Sequence, residues 1–175
     1  TDCGPRFTII EALPYDRHNT SMKSFDMCGK CASDYSDILN RRFHAQPVAC
    51  NNCGPLYTYE DSHGTIIKFE EILSAVSERI DDGKSVAIKG TGGYHLMCNA
   101  LDNSAVNELR KCKQRDAKPF AVMFRDLKTL KEYCYVDNIE QRELISWRRP
   151  ILILKQKKGL ASSVSSGLGT IGAIL

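Results

Sequence analysis

From Phe69 onward the apolar positions fall into alternating rhythms. Phe69, Ile72, Leu73, Val76 and Ile80 recur at the spacing of one helix face, and Gly83 supplies a stop. "SVAIKG" at 85–90 is short and apolar, which predicts a buried strand. Asp102 or Asn103 can cap a helix that carries Val106, Leu109 and Cys112. "PFAVMF" at 119–124 predicts a second strand, and "DLKTLKEYC" at 126–134 and "IEQRELISWRR" at 139–149 predict helices. Pro150 breaks the latter, and "PILILKQ" at 150–156 predicts a third strand. Helices alternating with short apolar strands predict an α/β sheet with helices packed on it. The tail "GLASSVSSGLGTIGAIL" is rich in Ser and Gly. It leaves open a flexible loop or a truncated end, with "TIGAIL" able to begin another strand.

The first third lacks these rhythms and carries cysteine instead. Cys3, Cys28, Cys31, Cys50 and Cys53 lie there, while Cys98, Cys112 and Cys134 are scattered singly. That pattern suits a reduced compartment, the cytoplasm, better than a disulfide framework. Cys28-Gly-Lys-Cys31 and Cys50-Asn-Asn-Cys53 are two tight pairs separated by 18 residues. Two such pairs complete a tetrahedral shell of four thiolates, which predicts a structural zinc with no open position for chemistry. Unrelated thiol pairs and an iron–sulfur cluster are the alternatives, and the spacing fits zinc ribbons better than ferredoxins. Gly29 and Gly54 suit tight turns, and Lys30, Arg41 and Arg42 can offset the thiolate charge. His44 lies between the pairs and is read as structural, since four cysteines already fill a shell.

Cys3, Gly4, Pro5 and Thr8 match Cys53, Gly54, Pro55 and Thr58 at an offset of 50. Two tandem zinc modules would give that offset. The expectation is a piece of a longer protein, in which Cys3 belongs to an incomplete upstream site. The predicted organisation is a finger remnant and connector at 1–27, a four-cysteine finger at 28–60, and an α/β domain at 66–175. "YEDSHGTIIKF" at 59–69 marks the boundary.

Composition adds exclusions. The 175 residues are 42% apolar and 26% charged, which is globular. The longest apolar run, "PFAVMF", is far short of a membrane span, and "TDCGPRF" has no basic-then-apolar pattern, so nothing points to secretion. The net charge is +3, yet "RKCKQRDAK" at 110–118 holds five basic groups and one acid, so the rest of the chain is near −1. A local cationic patch asks for a local anion.

Two stretches offer chemistry. In "AIKGTGGYHLMCNA" at 87–100, Lys89, Gly90, Gly92 and Gly93 follow a strand. Such glycines let backbone N–H groups approach ligand oxygens, although a plain glycine turn reads equally well. In "KQRDAKP" at 113–119, Lys113 and Arg115 would face the same way along an extended segment and clamp a phosphate chain, with Lys118 close behind. A solvated basic face is the other reading.

"CGPRFTIIEALPYDR", "RRFHAQPVACNNCGP", "AIKGTGGYHLMCNA" and "LRKCKQRDAKPFAVM" together resemble the HypF family of hydrogenase-maturation carbamoyltransferases. The likeness runs in the same order over nearly the whole chain. It implies the end of one zinc finger, a complete second finger, and the front of a YrdC-like α/β domain. It implies an enzyme that uses carbamoyl phosphate and ATP with Mg2+ to make carbamoyl-adenylate. The carbamoyl group would pass to the C-terminal Cys of a partner, HypE, for the cyanide ligands of nickel–iron hydrogenase. Lys113-Gln114-Arg115 would be the Lys-x-Arg motif that holds ATP phosphates. Lys89, Gly90, Gly92, Gly93, Tyr94 and His95 would line the pocket for the carbamoyl end and the reacting phosphate. The sequence departs from the family at Asp116, where Pro is frequent, and no Ser-x-Asn element appears before Leu175.

The competing class is a zinc-ribbon and YrdC-like module that binds RNA in a tRNA modification pathway. A nucleic-acid face would need a broad basic stripe with exposed aromatics. The basic excess is confined to nine residues, which suits a single nucleotide.

Overall fold

A computed structural model of the chain describes residues 7–90, 93–157 and 159–175. The chain forms two compact units, Thr1–Ser74 and Ala75–Leu175. Cys3 and Gly92 lie outside the described residues.

The first unit begins with two short 3-10 turns, Arg17–Asn19 and Ser21–Ser24. Thr20 is fully buried and its hydroxyl accepts from the Met22 N–H, so a polar side chain fills a core position without an unpaired group. Helix α1 (Gly29–Ser36) follows, with Cys28 at its N-cap. Strands β1 (Tyr59–Asp61) and β2 (Gly64–Ile66) form a small antiparallel hairpin across the predicted boundary. Helix α2 (Phe69–Asp81) forms where the apolar rhythm places it. Its face is narrower than the pattern suggests: Ile72 is buried and Val76 and Ile80 are half-buried, but Phe69 and Leu73 are exposed. Gly83 adopts φ +73 and the Lys84 N–H reaches back to the Arg79 carbonyl, which closes the helix.

In the second unit, β3 (Val86–Gly90) pairs antiparallel with β4 (Gly93–Met97). Helix α3 (Asn103–Lys113) is capped by Asp102, whose carboxylate accepts from the N–H groups of Ser104 and Ala105. Then come β5 (Ala121–Met123), α4 (Leu127–Tyr133), α5 (Asn138–Ile145), β6 (Leu152–Lys155) and β7 (Thr170–Ile174). A full capping box of Asp137 and Glu140 opens α5. This helix stops four residues before the predicted end. Pro150 disfavours a helical Arg149, and Trp147 is 79% exposed, so no core contact extends the helix.

"TIGAIL" does form a strand, and its place in the sheet is what the sequence did not indicate. Strand β7 is the centre of a three-stranded sheet, parallel to β5 and antiparallel to β6. Ile171 and Ala173 on β7 join Val122, Leu154, Leu130 and Leu144 in the core. A side chain at Gly172 would press on the Ile151 methyl at 3.1 Å, so the small residue fits where the neighbouring chain runs close. No described helix is long and apolar enough to cross a membrane.

Candidate functional site

The four cysteines converge. Their sulfurs all lie within 4.8 Å of one another, and no other described residue joins the group. The Sγ atoms of Cys28 and Cys50, and of Cys50 and Cys53, are 3.7 Å apart. A tetrahedron with metal–sulfur bonds near 2.3 Å has edges of about 3.8 Å, so the arrangement fits zinc. The thiols are not alike. Burial pushes Cys31 up to about 12, helped by hydrogen bonds from the other three. The backbone N–H of Cys28, then that of Cys50, brings Cys53 down to about 6. The Asn52 N–H lowers Cys50. One site thus draws some sulfurs toward thiolate and resists the last negative charge. A divalent ion supplies the missing compensation and deprotonates its ligands.

The glycines flanking the pairs differ. A Cβ on Gly54 would lie 2.6 Å from the Ala49 Cβ, so the second turn needs glycine. Gly29 is the first residue of α1 with open space around it, so the first pair is set by a helix start and needs no special residue. His44 stacks on Tyr35 at 4.9 Å and meets Phe43 edge-on at 4.4 Å, outside the sulfur cluster. Arg42 pairs with Asp34.

The second candidate stretch is a hairpin. Lys89 pairs with Tyr94, Ile88 with His95 and Gly90 with Gly93. The Lys89 ammonium lies 6.0 Å from the Tyr94 ring centre. Successive residues of a strand point to opposite faces, so Lys89 and Tyr94 share one face and His95 takes the other. The hairpin therefore does not bring the whole tract to a single side. Strand β4 escaped the sequence reading because Gly93 and the exposed Tyr94 and His95 read as loop. A Cβ at Gly90 would make only ordinary contact with the His95 ring, at 3.4 Å from Nε2, so packing does not require glycine there.

The basic stretch also differs from the extended segment expected of it. Lys113 is the last residue of α3, and Gln114 is left-handed at φ 48 and ψ 50. Lys113 and Arg115 thus flank a helix cap, and strand alternation does not govern their directions. Arg115 donates through Nε to the Lys118 carbonyl (3.0 Å) and through Nη2 to that of Pro119 (2.6 Å). Its guanidinium lies 4.8 Å from the centre of the Phe120 ring. Lys113 and Lys118 are exposed.

Behind this loop stands a residue that the sequence reading passed over. Arg110 is buried and lies 4.8 Å from the same Phe120 ring. Its Nε donates to the Ser163 carbonyl (2.6 Å) and its Nη2 to that of Val164 (3.2 Å). Its Nη1 reaches the carbonyls of Arg115 (2.8 Å) and Lys118 (3.2 Å). The loop is wrapped around this one side chain. The signal was available: Ala105, Val106, Leu109 and Arg110 occupy the buried stripe of α3, so Arg110 sits where a core residue belongs.

Known proteins match this arrangement in the same order. The model of the Sua5/YciO/YrdC family, described as telomere recombination, matches residues 78–175, and the HypF finger model matches residues 27–60. The carbamoyltransferase HypF of Rhizobium leguminosarum bv. viciae is 45% identical over 176 residues, and that of Rhodobacter capsulatus 38% over 175. Both alignments take in 100% of this chain but only 22% and 23% of those proteins. Among solved structures, full-length HypF in its phosphate- and nucleotide-bound form is 50% identical with a TM-score of 0.79. It covers 99% of this chain, which spans 23% of it. HypF of T. kodakarensis is 51% identical over 99% of this chain and 23% of its own, with a TM-score of 0.82.

Proposed function

Because the chain belongs to the Sua5/YciO/YrdC family, set behind a HypF finger, we propose that it is part of a cytoplasmic carbamoyltransferase of the HypF kind. The complete protein would make carbamoyl-adenylate from carbamoyl phosphate and ATP, with Mg2+ accompanying the nucleotide. It would then pass the carbamoyl group to the C-terminal Cys of HypE. The observation that carries this reading is similarity along the whole chain, finger and α/β unit together, to a protein solved with phosphate and nucleotide bound. The domain limits proposed are 28–60 for the finger and 66–175 for the α/β part.

The zinc centre would be structural, since four thiolates leave no position for a substrate. In the α/β unit, Lys113, Arg115 and Lys118 would face the phosphates. Hydrolysis of carbamoyl phosphate would first release carbamate and inorganic phosphate; a carbamate oxygen would then attack the α-phosphorus of ATP, the bond to the bridging oxygen would break, and pyrophosphate would leave. Negative charge builds on phosphate oxygens, so fixed cations lower the barrier without any side-chain nucleophile. Lys89 and Tyr94 on one hairpin face, with Gly90 and Gly93 at its tip, would border the carbamoyl end.

The test is carbamoyl-phosphate-dependent exchange of labelled pyrophosphate into ATP, in the complete protein and in this 175-residue chain. Exchange is expected in the complete protein alone. Lys113→Ala and Arg115→Ala should each weaken ATP binding by about 1.5–3 kcal/mol, and Lys157→Ala should leave it unchanged. Equal losses at all three positions would show that the charge acts diffusely and that no clamp exists.

A further inference from the structure

We infer that Arg17 is a positioning residue for the metal centre, although it lies outside the stretch matched as the finger. Its guanidinium joins two distant pieces of chain. Nη1 donates to the carbonyls of Gln46 (2.9 Å) and Val48 (2.8 Å), and Nη2 donates to that of Phe25 (2.6 Å). Phe25 precedes Cys28 by three residues, and Val48 precedes Cys50 by two. One side chain therefore ties together the two segments that lead into the two cysteine pairs. The Arg17 N–H adds a bond to the Gln46 Oε1 at 2.8 Å, so backbone and side chain grip the same strand of loop.

The surroundings hold this pin in place. Gln46 and Val48 are buried, and the Gln46 side chain also lies 3.4 Å from the Tyr35 hydroxyl on α1. A bridge between Ile10 and Thr20 folds the connector back on itself, and the Thr20 hydroxyl donates to the Arg17 carbonyl at 2.7 Å. The stretch from Ile10 to Phe25 is thus built into the finger.

The physical consequence concerns preorganisation. A metal must gather sulfurs from two pairs separated by 18 residues of intervening chain. Ordering that excursion costs conformational entropy, and the cost falls on metal binding unless another contact has already closed the loop. Arg17 closes it at the base. A planar fork with several donors can span three carbonyls; a single ammonium cannot.

The experiment compares zinc release from the zinc-loaded chain to a coloured chelator, for the native sequence, Arg17→Ala, Arg17→Lys, and the exposed controls Lys68→Ala and Lys84→Ala. Release should accelerate on the order of 10–100-fold in Arg17→Ala, the range for residues that orient metal ligands. Arg17→Lys should release nearly as fast, while the two control variants stay within about twofold of the native rate. Cobalt substitution gives a second readout: Arg17→Ala should still form the tetrahedral thiolate spectrum at saturating cobalt, but with a midpoint at higher metal concentration. Native release rates in Arg17→Ala would overturn the inference. So would full rescue by Arg17→Lys, or equal acceleration in the controls, because each would show that positive charge alone matters. A saturated cobalt spectrum lacking tetrahedral features would also count against it, since the residue would then be needed for folding and not for closing a preformed site.

Discussion

Arg17 and Arg110 solve the same problem in two units built on different principles. Both spend their donors on backbone carbonyls, and both join segments far apart in sequence. In the first unit the buried apolar residues among those described are Met22, Cys31, Val48 and Ile72. In the second, a contiguous core runs from Val106 through Leu130, Leu144 and Leu154 to Ala173. A sparse core leaves the fold to a metal and a few directional bonds. A continuous core carries the fold itself, and its buried arginine instead shapes one loop. The same side chain is therefore structural glue in one place and a local template in the other.

The sharpest way to break this contrast is to remove the metal. Chelation should unfold the finger, because structural zinc contributes on the order of 10 kcal/mol to such modules. Amide exchange should rise across residues 28–54 while α3, α4 and α5 keep their protection. Loss of protection in both units together would mean that the second core depends on the first. Arg110→Met supplies the mirror experiment. It removes the donor to the carbonyls of Arg115 and Ser163 and one of two donors to those of Lys118 and Val164, and should cost the second unit about 1–3 kcal/mol in thermal unfolding. Zinc release should not change. The loop should also become more open to cleavage at Lys113, Arg115 and Lys118.

A smaller effect is expected from pH. The Thr129 N–H, then its hydroxyl and then Arg125 hold the Asp126 carboxyl down to about 2. A carboxylate whose pKa is lowered by folding stabilises the fold above its unfolded value, near 4, and that contribution disappears as pH falls toward 2. Asp126→Asn keeps an acceptor at the helix start but cannot titrate. Exchange at α4 amides should rise between pH 4 and 2 in the native chain, and less steeply in Asp126→Asn.

The legible parts of the sequence were those with a local rule. Cysteine spacing marked the metal centre. Asp102 marked a helix start, and apolar spacing marked α2 and α3. What stayed hidden depended on partners distant in sequence. "TIGAIL" offered the strand β7, but the Ser/Gly-rich tail gave no sign that this strand is the central one, because its neighbours β5 and β6 lie far away in sequence. Arg17 bonds to groups 8 to 31 residues away, and no periodicity announces that. The extended backbone expected between Lys113 and Arg115 does not form, for a local reason: a left-handed Gln114 turns the chain between them, and Gln is an uncommon choice for that conformation. Whether these residues meet a nucleotide is the question that the exchange and binding measurements address.

The placement of β7 between β5 and β6 also bears on how the protein comes off the ribosome. The metal shell is complete once Cys53 has emerged. The three-stranded sheet cannot close until Ile174 has, 121 residues later, because β5 and β6 are not neighbours and wait for the strand that separates them. At roughly 5–20 residues per second that interval is on the order of ten seconds. In its last part, once Met123 and then Lys155 have emerged, β5 and β6 have unpaired edges and an uncovered apolar face, a state prone to wrong pairing. A cell short of zinc would meet its difficulty as the finger emerges; a cell short of chaperones would meet it later, as the sheet waits for β7.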